Sequence, residues 1–260
     1  MGEKARRRAA FRSSHPLCCF CSAPTETEDH VPPRASFFER RWPDEHAFPA
    51  CKPCNDKTRP SDQIFSFYVR MLGWDDDIRE RDLDRSLKIS RSVALNHPDC
   101  FPKALPQTKQ HRLRLQHGID YNAGRFVAIP KAAAAHIELL YRKLCMALYY
   151  KYTERIAPES HLIAVQLRFD ARLMSNDELL SLFKLVRLTH RTIKSGRFNG
   201  QFIYSYDFNP ELDLFAVAAK FGGAFCGMAA ILPEGAEDTA GLGPFVRVEY
   251  ALNLGPAYSE

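Results

Sequence analysis

Cys18-Cys19-Phe20-Cys21, Glu28-Asp29-His30-Val31-Pro32-Pro33-Arg34 and Cys51-Lys52-Pro53-Cys54-Asn55-Asp56-Lys57 share one short stretch near the N-terminus, and its reading decides the fold. Two CxxC pairs flank it, with residues 22–50 between them. Each pair sets two sulfurs at the tip of a tight turn, and two such turns complete a tetrahedral site of four thiolates. Cys18, Cys21, Cys51 and Cys54 are therefore the expected ligands of a structural Zn2+. Cys19 and His15 are the competing donors. Cys19 breaks the two-residue spacing to Cys21, and His15 beside Pro16 reads as an ordinary loop residue. Residues 15–60 carry few bulky apolar side chains, so metal binding there becomes folding free energy. A site with four protein thiolates has no open position, so any chemistry belongs to a second metal.

Phosphodiester hydrolysis needs an activated water, a cation on the phosphate and help for the leaving oxygen. Imidazole suits the first task, because its pKa lies near neutrality. A carboxylate and an amide oxygen suit a hard divalent ion. Asp29 and His30 project to opposite sides of an extended segment. Asn55 follows the second knuckle at the start of a helix. The bland readings are a hydrogen-bonded turn for Asp29-His30 and satisfaction of backbone groups for Asn55. Arg34 and Lys57 are equally surface charges or phosphate contacts. Phe65, Phe67 and Tyr68 read as core rather than as a base-stacking platform.

On these residues the stretch 15–72 resembles the His-Asn-His (HNH) nucleases of the ββα-metal type with added zinc knuckles. The resemblance implies a β-hairpin followed by a helix. It implies that His30 is the general base, and that Asp29 and Asn55 hold Mg2+ or another divalent ion. The family's middle asparagine falls about five residues before the second knuckle, where this chain has His46. There the family residue orients the loop and the base by hydrogen bonds, and a histidine ring nitrogen can take that part. The implied activity is metal-dependent endonucleolytic cleavage of DNA, with nucleic acid as partner. The alternative is a non-catalytic zinc-stabilised module that binds nucleic acid or protein. A third reading makes residues 120–260 the main functional part, a sensor or partner-binding domain, with the N-terminal unit as its effector.

Outward from this stretch, the 260 residues are 45% hydrophobic and 12% aromatic, with a formal net charge of +5. That composition supports a sizeable core and argues against global disorder. The charge permits nucleic-acid binding without arguing for it. No run of 18 apolar residues occurs, so no membrane span is expected. The start is basic but lacks an apolar segment behind it, and Arg6 breaks the myristoylation pattern after Gly2. Eight cysteines without an export signal fit zinc thiolates in a reducing cytoplasm. Cys100, Cys145 and Cys226 read as small core or surface residues.

The expected organisation is a basic tail over 1–14, a nuclease-like zinc unit over 15–74, a charged and Pro-rich connection over 75–118, and an α+β domain over 119–260. The tail carries Lys4, Arg6, Arg7, Arg8 and Arg12, either solvated or touching phosphates. Helical spacing runs from Asp62 to Leu72. Residues 125–129 suggest a strand, Pro130 opens a helix reaching about Thr153, and 161–169 alternates as a strand. Ser175 to Glu178 forms a capping box before a further helix. Strands are expected over 201–208, 214–221, 224–232 and 245–252, giving a mainly antiparallel sheet. The fold class is α+β.

Overall fold

Helix α2, Lys52–Leu72, is the element around which the molecule is assembled. In this computed structural model, residues 2–73, 82–102, 112–114, 120–122, 129–169, 189–192, 201–235 and 245–247 are described. Cys51 caps α2 by accepting from the Cys54 N–H, and Glu26 Oε2 accepts from the Lys52 N–H at 2.8 Å. Two of the orphan amides of the first turn are thereby satisfied. Ile64 to Arg70 are buried all round. A helix buried on every side needs partners on every side, and three surround it. Phe67 stacks on Phe101 and Tyr68 donates to the Cys100 carbonyl, on the side of helix α3 (Leu83–Asn96). Helix α4 (Lys131–Thr153) lies along another side. Phe65 meets Phe221 edge-on at 4.7 Å and Phe225 at 5.5 Å.

Those last two rings belong to an antiparallel sheet. Its strands are β5 (His161–Phe169), β6 (Thr189–Thr192), β7 (Ile203–Asn209), β8 (Leu214–Phe221), β9 (Phe225–Pro233) and β10 (Phe245–Arg247), in the order β10-β5-β9-β8-β7-β6. Each neighbouring pair is antiparallel. Gly222, at φ 51°, lies in the turn between β8 and β9. Gly227 on β9 leaves room for α4: a Cβ there would stand 2.7 Å from the Gln166 carbonyl and 3.1 Å from the Tyr141 ring. Tyr141 donates to the Ala219 carbonyl at 3.2 Å, fixing α4 on the sheet.

Ahead of α2, strands β1 (Thr27–His30) and β2 (Ala47–Ala50) pair antiparallel, with His30 opposite Ala47. In a short pair, β3 (Arg112–Arg114) lies within the region expected as an extended connection and its partner β4 (Asp120–Asn122) just beyond it. The class is α+β, with four helices among the described residues.

Two expectations differ from this arrangement, and a third left it open. The segment 1–14, expected as a tail, contains helix α1, Glu3–Ser14. The charge-dense residues 75–92, which suit an exposed helix or a linker, hold most of α3. The boundary between an N-terminal unit and a later domain is not a boundary of packing, because one apolar cluster takes residues from both, Phe48 and Ile64 with Leu144 and Val217. A charge-dense, Pro-containing segment signals a connection, but one side of α2 is covered by α3 and by Cys100 and Phe101 after it. The strands expected over 201–208, 214–221 and 224–232 match β7, β8 and β9 within a residue or two at each end. The 125–129 strand and the 175–186 helix lie largely or wholly outside the described residues. No helix among the described residues is long and apolar enough to cross a membrane.

Candidate metal centre and adjoining cleft

The first knuckle closes on itself through Cys18 N–H to the Ala23 carbonyl at 2.7 Å and Ser22 N–H to the Cys18 carbonyl at 3.0 Å. Cys19 N–H donates to the Pro49 carbonyl at 2.9 Å, which anchors the knuckle on β2. The second knuckle is the first turn of α2. The two bring Cys18, Cys21, Cys51 and Cys54 together, with all four sulfurs within 4.8 Å of one another. A tetrahedral zinc thiolate with Zn–S near 2.3 Å has S···S edges of about 3.8 Å, and Cys21 and Cys51 stand 3.5 Å apart. Phe20 N–H points at Cys18 Sγ and Cys54 N–H at Cys51 Sγ, each at 3.4 Å. This cluster fits a metal ion, and zinc in particular. The charge pattern agrees. The contact from Cys54 lowers Cys18 to about 5, burial raises Cys21 to about 11, and the bond to Cys18 pushes Cys54 up. One thiolate forms readily and resists the next, a conflict that a divalent cation removes. The competing donors lie elsewhere. Cys19 is buried, with burial pushing its thiol up, and His15 Nδ1 bonds the Tyr150 hydroxyl at 3.0 Å.

Beside this centre lies a cavity of about 960 Å³, one wall of which carries Thr27, Glu28, His30, Arg34 and Asn55. His30 Nε2 is buried without a hydrogen-bond partner. Burial lowers the His30 pKa, the Arg34 charge lowers it further, and Asp29, Glu28 and Asp44 oppose them. The imidazole is therefore neutral near pH 7 and able to accept a proton. Asn55 Nδ2 donates to Thr27 Oγ1 at 3.0 Å, which leaves its carbonyl oxygen for a ligand. Arg34 stacks over Trp42 at 4.6 Å.

The loop after β1 is braced from behind. Arg70, 3% exposed, donates to the Ala35 and Phe37 carbonyls at 2.6 and 2.8 Å and pairs with Asp82 at 2.9 Å. His46 is 1% exposed and does not reach the cavity. Its Nδ1 bonds the Val31 carbonyl at 3.0 Å, which makes Nδ1 the protonated nitrogen. Burial lowers its pKa to about 3. Its ring packs edge-on against Phe48, Phe202 and Tyr204. His46 thus holds the Val31 carbonyl, next to His30, from within the core.

Asp29 requires a correction. It was expected to ligate a divalent ion with Asn55, but strand alternation turns it away from the cavity wall, and it is 4% exposed. Its Oδ2 lies 2.9 Å from Lys143 Nζ, which also contacts both oxygens of Asp62 at 3.0 Å. Burial opposes the charge on Lys143, but Asp29 and Asp62 outweigh it and raise its pKa. Burial raises Asp62 to about 7, with Asp29 adding and Lys143 opposing. Asp29 therefore already has its cation. Two carboxylates share the cavity with His30 and Asn55: Glu26, engaged with the Lys52 N–H, and Glu28, two residues before His30 on the same strand face. That period-2 spacing was present in the sequence and could have singled it out. Nothing in the sequence marks Lys143.

The far wall of the cavity belongs to α1, through Arg7, Arg8, Phe11 and Arg12. No protein-family model, curated protein or solved structure matches this chain.

Proposed function

We propose that residues 15–72 form a zinc-clipped HNH-type unit that hydrolyses phosphodiester bonds in DNA. The observation that carries this reading is the meeting of a neutral, unpartnered His30 with Glu28, Asn55 and Arg34 in one cavity beside the four cysteines. Zn2+ bound by Cys18, Cys21, Cys51 and Cys54 holds the strand pair against α2. His30 takes a proton from water as the water oxygen bonds to phosphorus, and the bond from phosphorus to the departing deoxyribose oxygen breaks. Arg34 offers positive charge to the phosphate. The oxygen donors available to a hard ion such as Mg2+ are Glu28 and the Asn55 carbonyl, completed by water and phosphate. Such an ion polarises the phosphate and assists the departing oxygen.

A second reading has support from one observation. Asp29 is neutralised by Lys143, so the unit has lost a carboxylate from the cleft and can serve as a non-catalytic nucleic-acid-binding module. Cleavage of a supercoiled plasmid separates the two. Wild type with Mg2+ or Mn2+ is expected to nick it, EDTA to stop it, and His30→Ala to slow it about 10²–10⁴-fold, as loss of a general base does. Cleavage at the wild-type rate by His30→Ala would overturn the assignment of the base.

A further inference from the structure

Helix α1 has no reason of its own to lie where it does. Its only large apolar side chain is Phe11, which among the side chains described is the one partly buried, the others being exposed. A helix without an apolar stripe gains little from packing. It is nevertheless held across the cleft, because Phe11 stacks near His15 at 4.9 Å and His15 bonds the Tyr150 hydroxyl. Arg7, Arg8 and Arg12 line the cavity facing His30, and none of them forms an ion pair among the described residues. With Arg34 they give the cavity four guanidinium groups against two carboxylates, Glu26 and Glu28. Glu26 is already engaged with the Lys52 N–H. Arg8 and Arg12 are four residues apart, about 6 Å along the helix axis. That is nearly two steps of one strand of duplex DNA at about 3.4 Å each.

We infer that α1 is the phosphate-gripping wall of the cleft, with Arg7, Arg8 and Arg12 each contacting a backbone phosphate of the strand presented to His30. The inference rests on the nucleic-acid reading above and names the residues that would hold the substrate. The grip is electrostatic and blind to base sequence, since phosphate contacts set register without reading bases.

The test uses the full chain carrying His30→Ala, so that a fluorescent DNA duplex is bound without being cut, with affinity measured by anisotropy across a salt series. Each phosphate contact contributes about 0.9 to the slope of log K against log salt. Replacing Arg7, Arg8 and Arg12 together by alanine should lower that slope by about 2.7 and weaken binding at least tenfold at 0.1 M salt. Replacing all three by lysine should keep the slope, because a point charge still displaces counterions. An unchanged slope in the alanine variant overturns the inference, as does a failure of the parent to bind duplex at low salt. In an otherwise wild-type chain, faster plasmid cleavage on Arg→Ala replacement would make α1 an obstruction and also overturn it. The two readings fail separately. A falling slope without cleavage by wild type leaves the grip standing and removes hydrolysis. Cleavage with an unchanged slope does the reverse.

Discussion

Replacing Lys143 by methionine removes the ammonium that lies between Asp29 and Asp62. The lysine side chain is 0% exposed, with contacts of 2.9 and 3.0 Å to the two carboxylates. Methionine fills much of the volume, so the loss is one of charge and not of packing. Breaking a buried pair by removing one partner costs about 3–5 kcal/mol, because the remaining charge is left uncompensated. In a chain of this size each kcal/mol moves Tm by roughly 2–4 °C, so a fall of roughly 10 °C is expected. The effect depends on pH. Asp62 is raised above its ordinary value, so in wild type its contribution to stability is greatest below about pH 4 and is lost as the pH climbs towards 7. Lys143 opposes the rise of Asp62, so without it Asp62 holds its proton more tightly still, and the penalty of Lys143→Met grows from pH 5 to pH 8. Urea or thermal unfolding of wild type, Lys143→Met and Lys143→Met/Asp62→Asn at both pH values measures this. The double variant should regain part of the loss at pH 8. A Lys143→Met chain within about 1 kcal/mol of wild type at pH 8, or a larger penalty at pH 5, refutes the reasoning.

Three further outcomes are expected. Elemental analysis should find one zinc per chain, and Cys51→Ser or Cys54→Ser should lose it together with the native circular dichroism of the N-terminal part; folded, zinc-free wild type would contradict this. Glu28→Gln should raise the Mg2+ or Mn2+ concentration needed for half-maximal cleavage with little change in Tm, whereas Asp29→Asn should lower Tm and leave the metal requirement in place; the opposite pattern would return Asp29 to the ligand set. Because burial and Arg34 lower the His30 pKa, the imidazole stays a free base below pH 6.5, so the cleavage rate should hold its plateau there and fall only in more acidic buffer. A rate still climbing above pH 7.5 would point to a different titrating group.

The sequence disclosed those parts of the molecule that local chemistry determines. Two CxxC turns can gather four sulfurs only by approaching each other, so the cysteine cluster was legible. Gly222-Gly223 separated the strands expected over 214–221 and 224–232, which are β8 and β9. His46 was legible only as a histidine standing where the resembled family has an asparagine, and its Nδ1 bonds the Val31 carbonyl. What stayed hidden depends on contacts distant along the chain. Asp29 looks like any strand carboxylate until α4 brings Lys143 against it. Helix α1 has no apolar period to announce a docked helix, and its position rests on one aromatic residue and His15. Residues 75–92 suited either an exposed helix or a linker because charge density describes exposure and says little about helicity, and only Val93 of α3 is fully buried.

The cluster that joins Phe48 and Ile64 to Leu144 and Val217 limits how this protein can be cut or transplanted. A fragment ending near residue 74 would keep both knuckles and His30, and elemental analysis could still find zinc in it. It would present Phe65 to water where Phe221 and Phe225 had been, and leave Asp29 without Lys143. Grafting residues 15–74 onto another carrier would therefore transfer the recognisable motif without the wall that supports it. In recombination the heritable unit is the N-terminal stretch together with α4 and the sheet, and a breakpoint between them would yield two insoluble pieces instead of two working ones.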